Sequence, residues 1–276
     1  MKPRRVADGV CQVSLRGVNA FLLEAGGGLV LVDAGLKNSP PRITESIYSL
    51  GRLPQDVTGI VITHAHRDHV GGLAEMVRRT GAEVWMHPAD AALMREGVWG
   101  RPLGPGRGRT RDAIRRAMNA VPEARHEPVA VVHEVGDGDV LPFDGLRALH
   151  TPGHTAGHLS LLLPRAGGVL FVGDAASNMV HTGLSFVNED VPEARRSLQK
   201  LAALEFEVAC FAHGRTIRTK ASRSFRDLVQ RLDAADAKAV EREARKTAAH
   251  EALDAVRAAD AAERSETDGV GGDPGR

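Results

Sequence analysis

Thr63-His64-Ala65-His66-Arg67-Asp68-His69 places three imidazoles and a carboxylate within six residues. Imidazole nitrogen and carboxylate oxygen are donors that zinc, iron and manganese accept. At this chain's own His and Asp frequencies, H-x-H-x-D-H is expected about 0.001 times, so composition alone does not account for it. Alternate positions at a strand end point His64 and His66 the same way, and the turn that follows brings Asp68 and His69 to a second point. Three further segments end apolar runs in the same manner: Pro152-Gly153-His154-Thr155-Ala156-Gly157-His158, Gly173-Asp174 and Ala212-His213-Gly214. The carboxylate of Asp174 has two oxygens and can bridge two cations. Cations held this way activate water for hydrolysis without a nucleophilic side chain, and the chain contains no G-x-S-x-G motif.

Donors so far apart in sequence meet only where several strand ends share one edge. Residues 10–15, 20–24 and 29–33 read as strands, with Gly26-Gly27-Gly28 turning between the last two. A helix is expected over 41–50, a buried strand over 59–63 leading into the histidines, a helix over 70–79 and a strand over 83–86. Strands are expected again at 129–134, 140–143, 146–150, 159–163 and 169–172. A helix over 192–204, a strand over 208–212 and a helix over 222–246 complete the pattern.

Residues 96–127 interrupt it. In this stretch Arg101, Arg107, Arg109, Arg111, Arg115 and Arg116 accompany a single nearby carboxylate, Asp112. The segment reads either as a solvated loop of an Arg-heavy sequence or as a lid that clamps a substrate carboxylate or phosphate through Arg101 and Arg107, with Trp99 and Leu103 as its apolar wall. His181, in the segment after Asp174, reads either as lining the same pocket or as a solvent-exposed loop histidine.

Hydrophobic residues make up 42% of the 276, enough for a sizeable core. Thirty-six Lys and Arg against 35 Asp and Glu leave a charge of +1, which argues against nucleic acid or an anionic membrane as the main partner. No run reaches the roughly 18 apolar residues of a membrane span, and the basic start leads into no apolar signal core. Cys11 and Cys210 cannot form a disulfide framework and fit a reducing compartment. A cytoplasmic protein acting on a small molecule is expected, with a homodimer as the assembly allowed. Residues 1–246 read as the catalytic domain, with 96–127 as its insertion. Residues 247–276 read as an Ala-rich helical extension and a disordered tail.

In order along the chain, His64-Ala-His66-Arg-Asp68-His69-Val-Gly-Gly, Pro-Gly-His154-Thr, Gly-Asp174-Ala and His213-Gly resemble the metal motifs of the metallo-β-lactamase superfamily. Leu31-Val32-Asp33-Ala34-Gly35 resembles one of its early strands, and the likeness covers about residues 10–232. The resemblance implies an α+β fold, an αββα sandwich of two mixed β-sheets packed face to face, with helices on both outer faces and metals in a cleft at one edge. It implies that His64, His66 and His154 hold one cation and that Asp68, His69 and His213 hold a second, bridged by Asp174. Asp33 and His158 would stand behind these ligands and hydrogen-bond to them or to their loops.

The implied cofactor is a pair of divalent metal ions, zinc foremost, with iron or manganese as alternatives. Two such cations about 3.5 Å apart supply a bridging hydroxide at neutral pH. Asp68 is then the catalytic residue that takes the proton of the attacking water. The motifs are most similar to those of hydroxyacylglutathione hydrolases, although one long helix and a polar tail follow His213 where those enzymes carry a further helical domain. The implied reaction is hydrolysis of a thioester, ester or lactone on a small substrate, which is anionic if the arginine-rich segment acts as a clamp. One alternative is a sulfur dioxygenase with one iron, although such enzymes typically lack a histidine at position 158. Another is a lactonase, although those enzymes carry tyrosine where this chain has Ser177. The superfamily's β-lactamases usually carry cysteine or serine at the place of Asp174, so an antibiotic is not the expected substrate.

Overall fold

Leu29 and Leu31 point to one side of their strand and Val30 and Val32 to the other, and all four are buried. A strand covered on both faces belongs to the middle of a layered structure. The computed structural model describes residues 2–99, 113, 116, 126–131 and 133–268, with 249 and 251–268 described by backbone alone. Most of the arginine-rich segment, Arg101 and Arg107 included, lies outside the described residues.

The first sheet has seven strands in chain order: β1 (Arg4–Ala7), β2 (Val10–Ser14), β3 (Asn19–Ala25), β4 (Gly28–Val32), β5 (Val57–Val61), β6 (Glu83–Met86) and β7 (His133–Glu134). Neighbours are antiparallel from β1 to β4 and parallel from β4 to β7. Parallel neighbours need crossovers, and helices supply the first two: α1 (Pro40–Ser49) before β5, then α2 (Arg67–Val70) and α3 (Leu73–Thr80) before β6. Helix α4 (Pro88–Glu96) follows β6. The second sheet comprises β8 (Arg147–His150), β9 (Leu159–Leu163), β10 (Val169–Gly173) and β13 (Val208–Phe211), in the order β13-β10-β9-β8. Between β10 and β13 the chain forms a small hairpin, β11 (Ala176–Ser177) and β12 (Gly183–Leu184), and helix α5 (Val191–Ala202).

Strand alternation sorts the side chains into layers. Phe21, Leu23, Val30, Val32 and Val61 meet Leu159, Leu161, Leu163, Phe171 and Cys210 between the two sheets, where the rings of Phe21 and Phe171 pack edge to face at 5.5 Å. On the other face of the first sheet, Leu29, Leu31, Ile60 and Ile62 pack with Ile43 and Ile47 of α1, Leu73 and Met76 of α3, and Met94 of α4. Outside the second sheet Phe211 stacks on Phe225, in the second turn of the last helix, α6 (Ala221–Asp268). The architecture is therefore an αββα sandwich of two mixed sheets.

The chain divides into two units, Met1–Leu228 and Val229–Arg276. The expected domain boundary at 246 falls inside α6. Helix α6 runs on to Asp268, beyond Ser265 where a tail was expected to begin, because its sequence contains no Gly or Pro before Gly269. Other local expectations change as well. Residues 140–143 form a turn region with a single bridge from Val140 to Arg147, since Leu141 N–H closes back on Leu146 O at 2.8 Å. The helix expected over 70–79 is split in two, because Gly72 N–H donates to Gly35 O at 3.0 Å instead of back along the helix. Strand β1, helix α4 and the β11–β12 hairpin were not anticipated. Among the described residues no helix is long and apolar enough to cross a membrane.

Candidate metal centre

Strand β5 delivers the chain through Ile62 and Thr63 into the first histidines, beside the loop that follows β8. His64 Nε2 and His66 Nδ1 lie 3.1 Å apart, His66 Nδ1 and His154 Nε2 2.8 Å, and His154 Nε2 and His64 Nε2 3.1 Å. His154 Nδ1 donates to Val187 O at 2.5 Å, which leaves its Nε2 lone pair facing the other two rings. Burial, and then the neighbouring imidazoles, push His64 well below the usual histidine range. Burial likewise pushes His66 and His154 down. Three neutral imidazoles with converging lone pairs are metal donors by construction.

Asp68, His69 and His213 form the second group. His69 Nδ1 donates to Asp33 Oδ2 at 2.9 Å, and Asp33 also accepts Thr63 N–H at 2.8 Å. Asp33 does this from the left-handed region, φ 61°, a conformation that aspartate tolerates better than most residues. His213 Nδ1 donates to Gly17 O at 2.8 Å. Both Nε2 atoms therefore face the cleft. His213 Nε2 lies 3.2 Å from Asp68 Oδ2 and 3.3 Å from Asp174 Oδ2. Asp174 Oδ2 is also 3.4 Å from His154 Nε2, so this carboxylate stands between the two groups. Burial works against charge on His69, but Asp33, Asp68 and Asp174 outweigh it and raise the imidazole to about 9. The same contest raises His213 to about 11 through Asp174 and Asp68. Asp68 and Asp174 lie below the usual carboxylate range: burial alone would raise both, and the surrounding imidazoles reverse it.

The residues present fit a divalent cation. His64 with His66 and His154, His64 with His69 and Asp174, and Asp68 with His69 and His213 each offer donor atoms within 4.8 Å of one another. Among the described residues, His69 Nε2 and Asp174 Oδ1 are buried without a hydrogen-bond partner. They lie 3.8 Å apart, too far for a hydrogen bond, while carboxylates on two sides favour positive charge between them. A buried polar atom left unpaired costs about 1–3 kcal/mol, and a cation held by both atoms removes that cost. Nitrogen and oxygen donors of this kind suit zinc, iron or manganese.

Two supports hold the ligand loops. His158 Nε2 accepts Asp174 N–H at 2.8 Å, so its proton is on Nδ1, which donates to Thr151 Oγ1 at 2.8 Å. Gly173, at φ 56°, permits the approach: a Cβ there would sit 2.5 Å from His158 Nε2. Burial pushes His158 down to about 4, which keeps it neutral and able to accept. The second support was missed in the sequence. Asp90, fully buried in the first turn of α4, accepts Ala65 N–H at 3.0 Å, Thr155 Oγ1–H at 2.7 Å and Gly157 N–H at 3.0 Å. One carboxylate thus joins the His64–His66 loop to the His154 loop. A signal existed: Asp90 precedes buried Met94 by four residues and shares its face of α4, so a carboxylate stands on the apolar side of a helix. His181 lies exposed at the turn of the β11–β12 hairpin.

A family profile described as Metallo-beta-lactamase superfamily matches residues 13–213. A beta-lactamase-like protein 2 homolog of Caenorhabditis elegans is 31% identical over 206 residues, 74% of this chain and 58% of that protein. A hydroxyacylglutathione hydrolase of Xylella fastidiosa (strain M12) is 30% identical over 204 residues, 72% of this chain and 60% of that protein. The match thus spans less than two thirds of the length of these curated relatives. Among solved structures, a metallo-beta-lactamase from Cronobacter sakazakii superposes with a TM-score of 0.66 at 25% identity, covering 87% of this chain and 95% of that chain.

Proposed function

The chain belongs to the metallo-beta-lactamase superfamily, and from that premise we propose that it is a hydrolase holding two divalent cations, zinc foremost, that cleaves a small thioester, ester or lactone. The observation that carries the reading is the meeting of His64, His66 and His154 with Asp68, His69 and His213 around Asp174. When bound, two such cations supply a hydroxide at neutral pH and stabilise negative charge developing on the carbonyl oxygen.

The protein's own groups then divide the remaining work. His64, His66 and His154 would hold the first cation, Asp68, His69 and His213 the second, and Asp174 would contribute to either. Asp33, Val187 O and Gly17 O hold the rings of His69, His154 and His213 so that each Nε2 faces the cleft. Of the two carboxylates, the Asp68 side chain is 35% exposed and that of Asp174 only 7%. Asp68 is thus the carboxylate that solvent reaches, which suits it to meet the attacking water and accept its proton. The 30% identical hydroxyacylglutathione hydrolase supports a thioester among the substrates. Cys11 and Cys210, both free thiols, support a reducing cytoplasmic setting. An anionic substrate rests on Arg101 and Arg107, which lie outside the described residues.

Metal analysis of the purified protein, followed by a panel of thioester, lactone and phosphodiester substrates, tests the reading. Two zinc ions per chain, thioester or lactone hydrolysis, loss of activity with a chelator and its return with zinc are the expected results. One iron per chain with oxygen consumption would replace hydrolysis by sulfur oxidation.

A further inference from the structure

Beyond Phe211 the chain leaves β13, and its carbonyls need donors from outside the sheet ladder. Two asparagines supply them. Asn19 N–H donates to Ala212 O at 2.8 Å, and the side-chain Nδ2 of Asn19 donates to Phe211 O and Gly214 O, both at 3.0 Å. Asn178 N–H donates to His213 O at 2.9 Å, and its Nδ2 donates to Arg215 O at 2.7 Å. The carbonyls of residues 211 to 215 thus all accept from Asn19 or Asn178. His213 lies inside this run, and its Nδ1 donates to Gly17 O, two residues before Asn19. The turn from β2 into β3 therefore holds the His213 loop from the far end of the sequence: Asn19 lies 192 residues before Phe211, and Gly17 lies 196 before His213.

The amide of Asn19 has one orientation. Its Nδ2 faces two carbonyl oxygens, which only accept, and its Oδ1 accepts Gln12 Nε2–H at 2.7 Å. Gln12 is fixed in turn. Its Nε2 also donates to Ser14 Oγ at 3.2 Å, while its Oε1 accepts Arg4 Nη2–H at 2.8 Å and Thr216 Oγ1–H at 2.9 Å. Gln12 and Asn19 are both buried, and a buried polar network whose members are all satisfied specifies one arrangement. These bonds end on residues 211 to 216. The loops of His64, His66 and His154 are joined separately, by Asp90.

We propose that Asn19, oriented by Gln12, is the positioning residue of the second cation: it sets the His213 loop so that His213 Nε2 meets Asp68 and Asp174, and it leaves the group of His64, His66 and His154 to its own supports. The proposal rests on the two-cation reading above and adds the residues that decide whether the second site is filled. An amide is needed at position 19 because two carbonyls must be satisfied at once. A carboxylate of the same shape offers them no donor.

Zinc binding by the metal-depleted full chain, in competition with a chromophoric chelator, tests this without reference to turnover. The parent is expected to bind two zinc ions in two steps. Hydrogen-bond partners behind a ligand are worth about 10- to 100-fold in metal affinity. In Asn19→Ala one step should weaken by that factor while the other stays within about twofold of the parent. His213→Ala removes the ligand itself and marks which step belongs to the second group. In the double variant Asn19→Ala, His213→Ala that step should be no weaker than in His213→Ala alone, because an effect exerted through His213 disappears with His213. Gln12→Glu is the second variant and carries the test if Asn19→Ala does not fold. It keeps Asn19, but a carboxylate facing Oδ1 turns the amide over and sets its oxygen against Phe211 O and Gly214 O, so the same step should weaken. Equal losses from both steps, further loss in the double variant, or unchanged affinities in both Asn19→Ala and Gln12→Glu overturn the proposal. The two-cation reading then still stands on the parent's two steps. A parent that binds fewer than two zinc ions overturns that reading, and the proposal with it.

Discussion

Asp90 accepts the hydroxyl of Thr155 at 2.7 Å, and the same oxygen accepts the backbone N–H of Ala65 at 3.0 Å. Two loops that arrive from different sheets are thereby held by one carboxylate on a third element, α4. Replacing Asp90 with Ala leaves those donors, and Gly157 N–H, without that acceptor inside the protein, at about 1–3 kcal/mol each. A total loss of about 4 kcal/mol is expected, which lowers Tm by roughly 10 °C in a domain of this size. Zinc content should fall in parallel because His64, His66 and His154 lose their mutual placement. Melting curves and metal analysis check this, and a Tm within about 2 °C of the parent would sink it.

Asp68 sits 3.2 Å from His213 on the solvent side of the centre. Asp68→Asn keeps an oxygen donor but loses the capacity to take a proton. Part of the metal should remain while kcat falls about 100-fold or more. Parallel zinc and turnover measurements separate the two effects. A variant with near-normal kcat removes Asp68 from the mechanism.

His158 makes a pH prediction with a definite sign. Its folded value is about 4, below the roughly 6.5 of a free imidazole. The unfolded chain therefore binds a proton that the folded chain does not as pH falls from 6.5 through 4. The stability that neutral His158 contributes is complete above about pH 6.5 and is lost at about 1.4 kcal/mol per pH unit below it. Gln at this position can still accept Asp174 N–H and does not titrate. Urea unfolding of His158→Gln should show a shallower acid dependence by about one proton between these limits. Equal slopes in parent and variant would contradict the assignment.

Cys210 is fully buried between the sheets, and burial pushes its thiol far above the ordinary cysteine range. Cys11 is only partly buried. Iodoacetamide followed by mass spectrometry should label Cys11 slowly in the native protein and Cys210 only after unfolding. Native labelling at Cys210 would show that the inter-sheet core opens.

Much of the layered fold is legible in periodicity. Residues 29–32 alternate between two apolar environments, and the helices on α1 and α3 carry Ile43, Ile47, Leu73 and Met76 at helical spacing. Short elements were not legible. β11 and β12 have two residues each, too few for a period, and the split after Val70 depends on Gly35 O accepting from Gly72. Asp90 went unread because a lone acidic residue near a helix start has an ordinary explanation, the helix dipole.

The sequence by itself determined which side chains carry donor atoms and the local geometry of each motif, because strand alternation and a tight turn constrain residues within a few positions of one another. Only the tertiary structure decided which nitrogen of each ring faces the cleft. That choice belongs to the acceptor on the other nitrogen: Asp33 for His69, 36 residues upstream, Val187 O for His154, 33 residues downstream, and Gly17 O for His213, 196 residues upstream. A tautomer is set by whatever hydrogen-bond partner packing brings near, and no local pattern reaches across such separations.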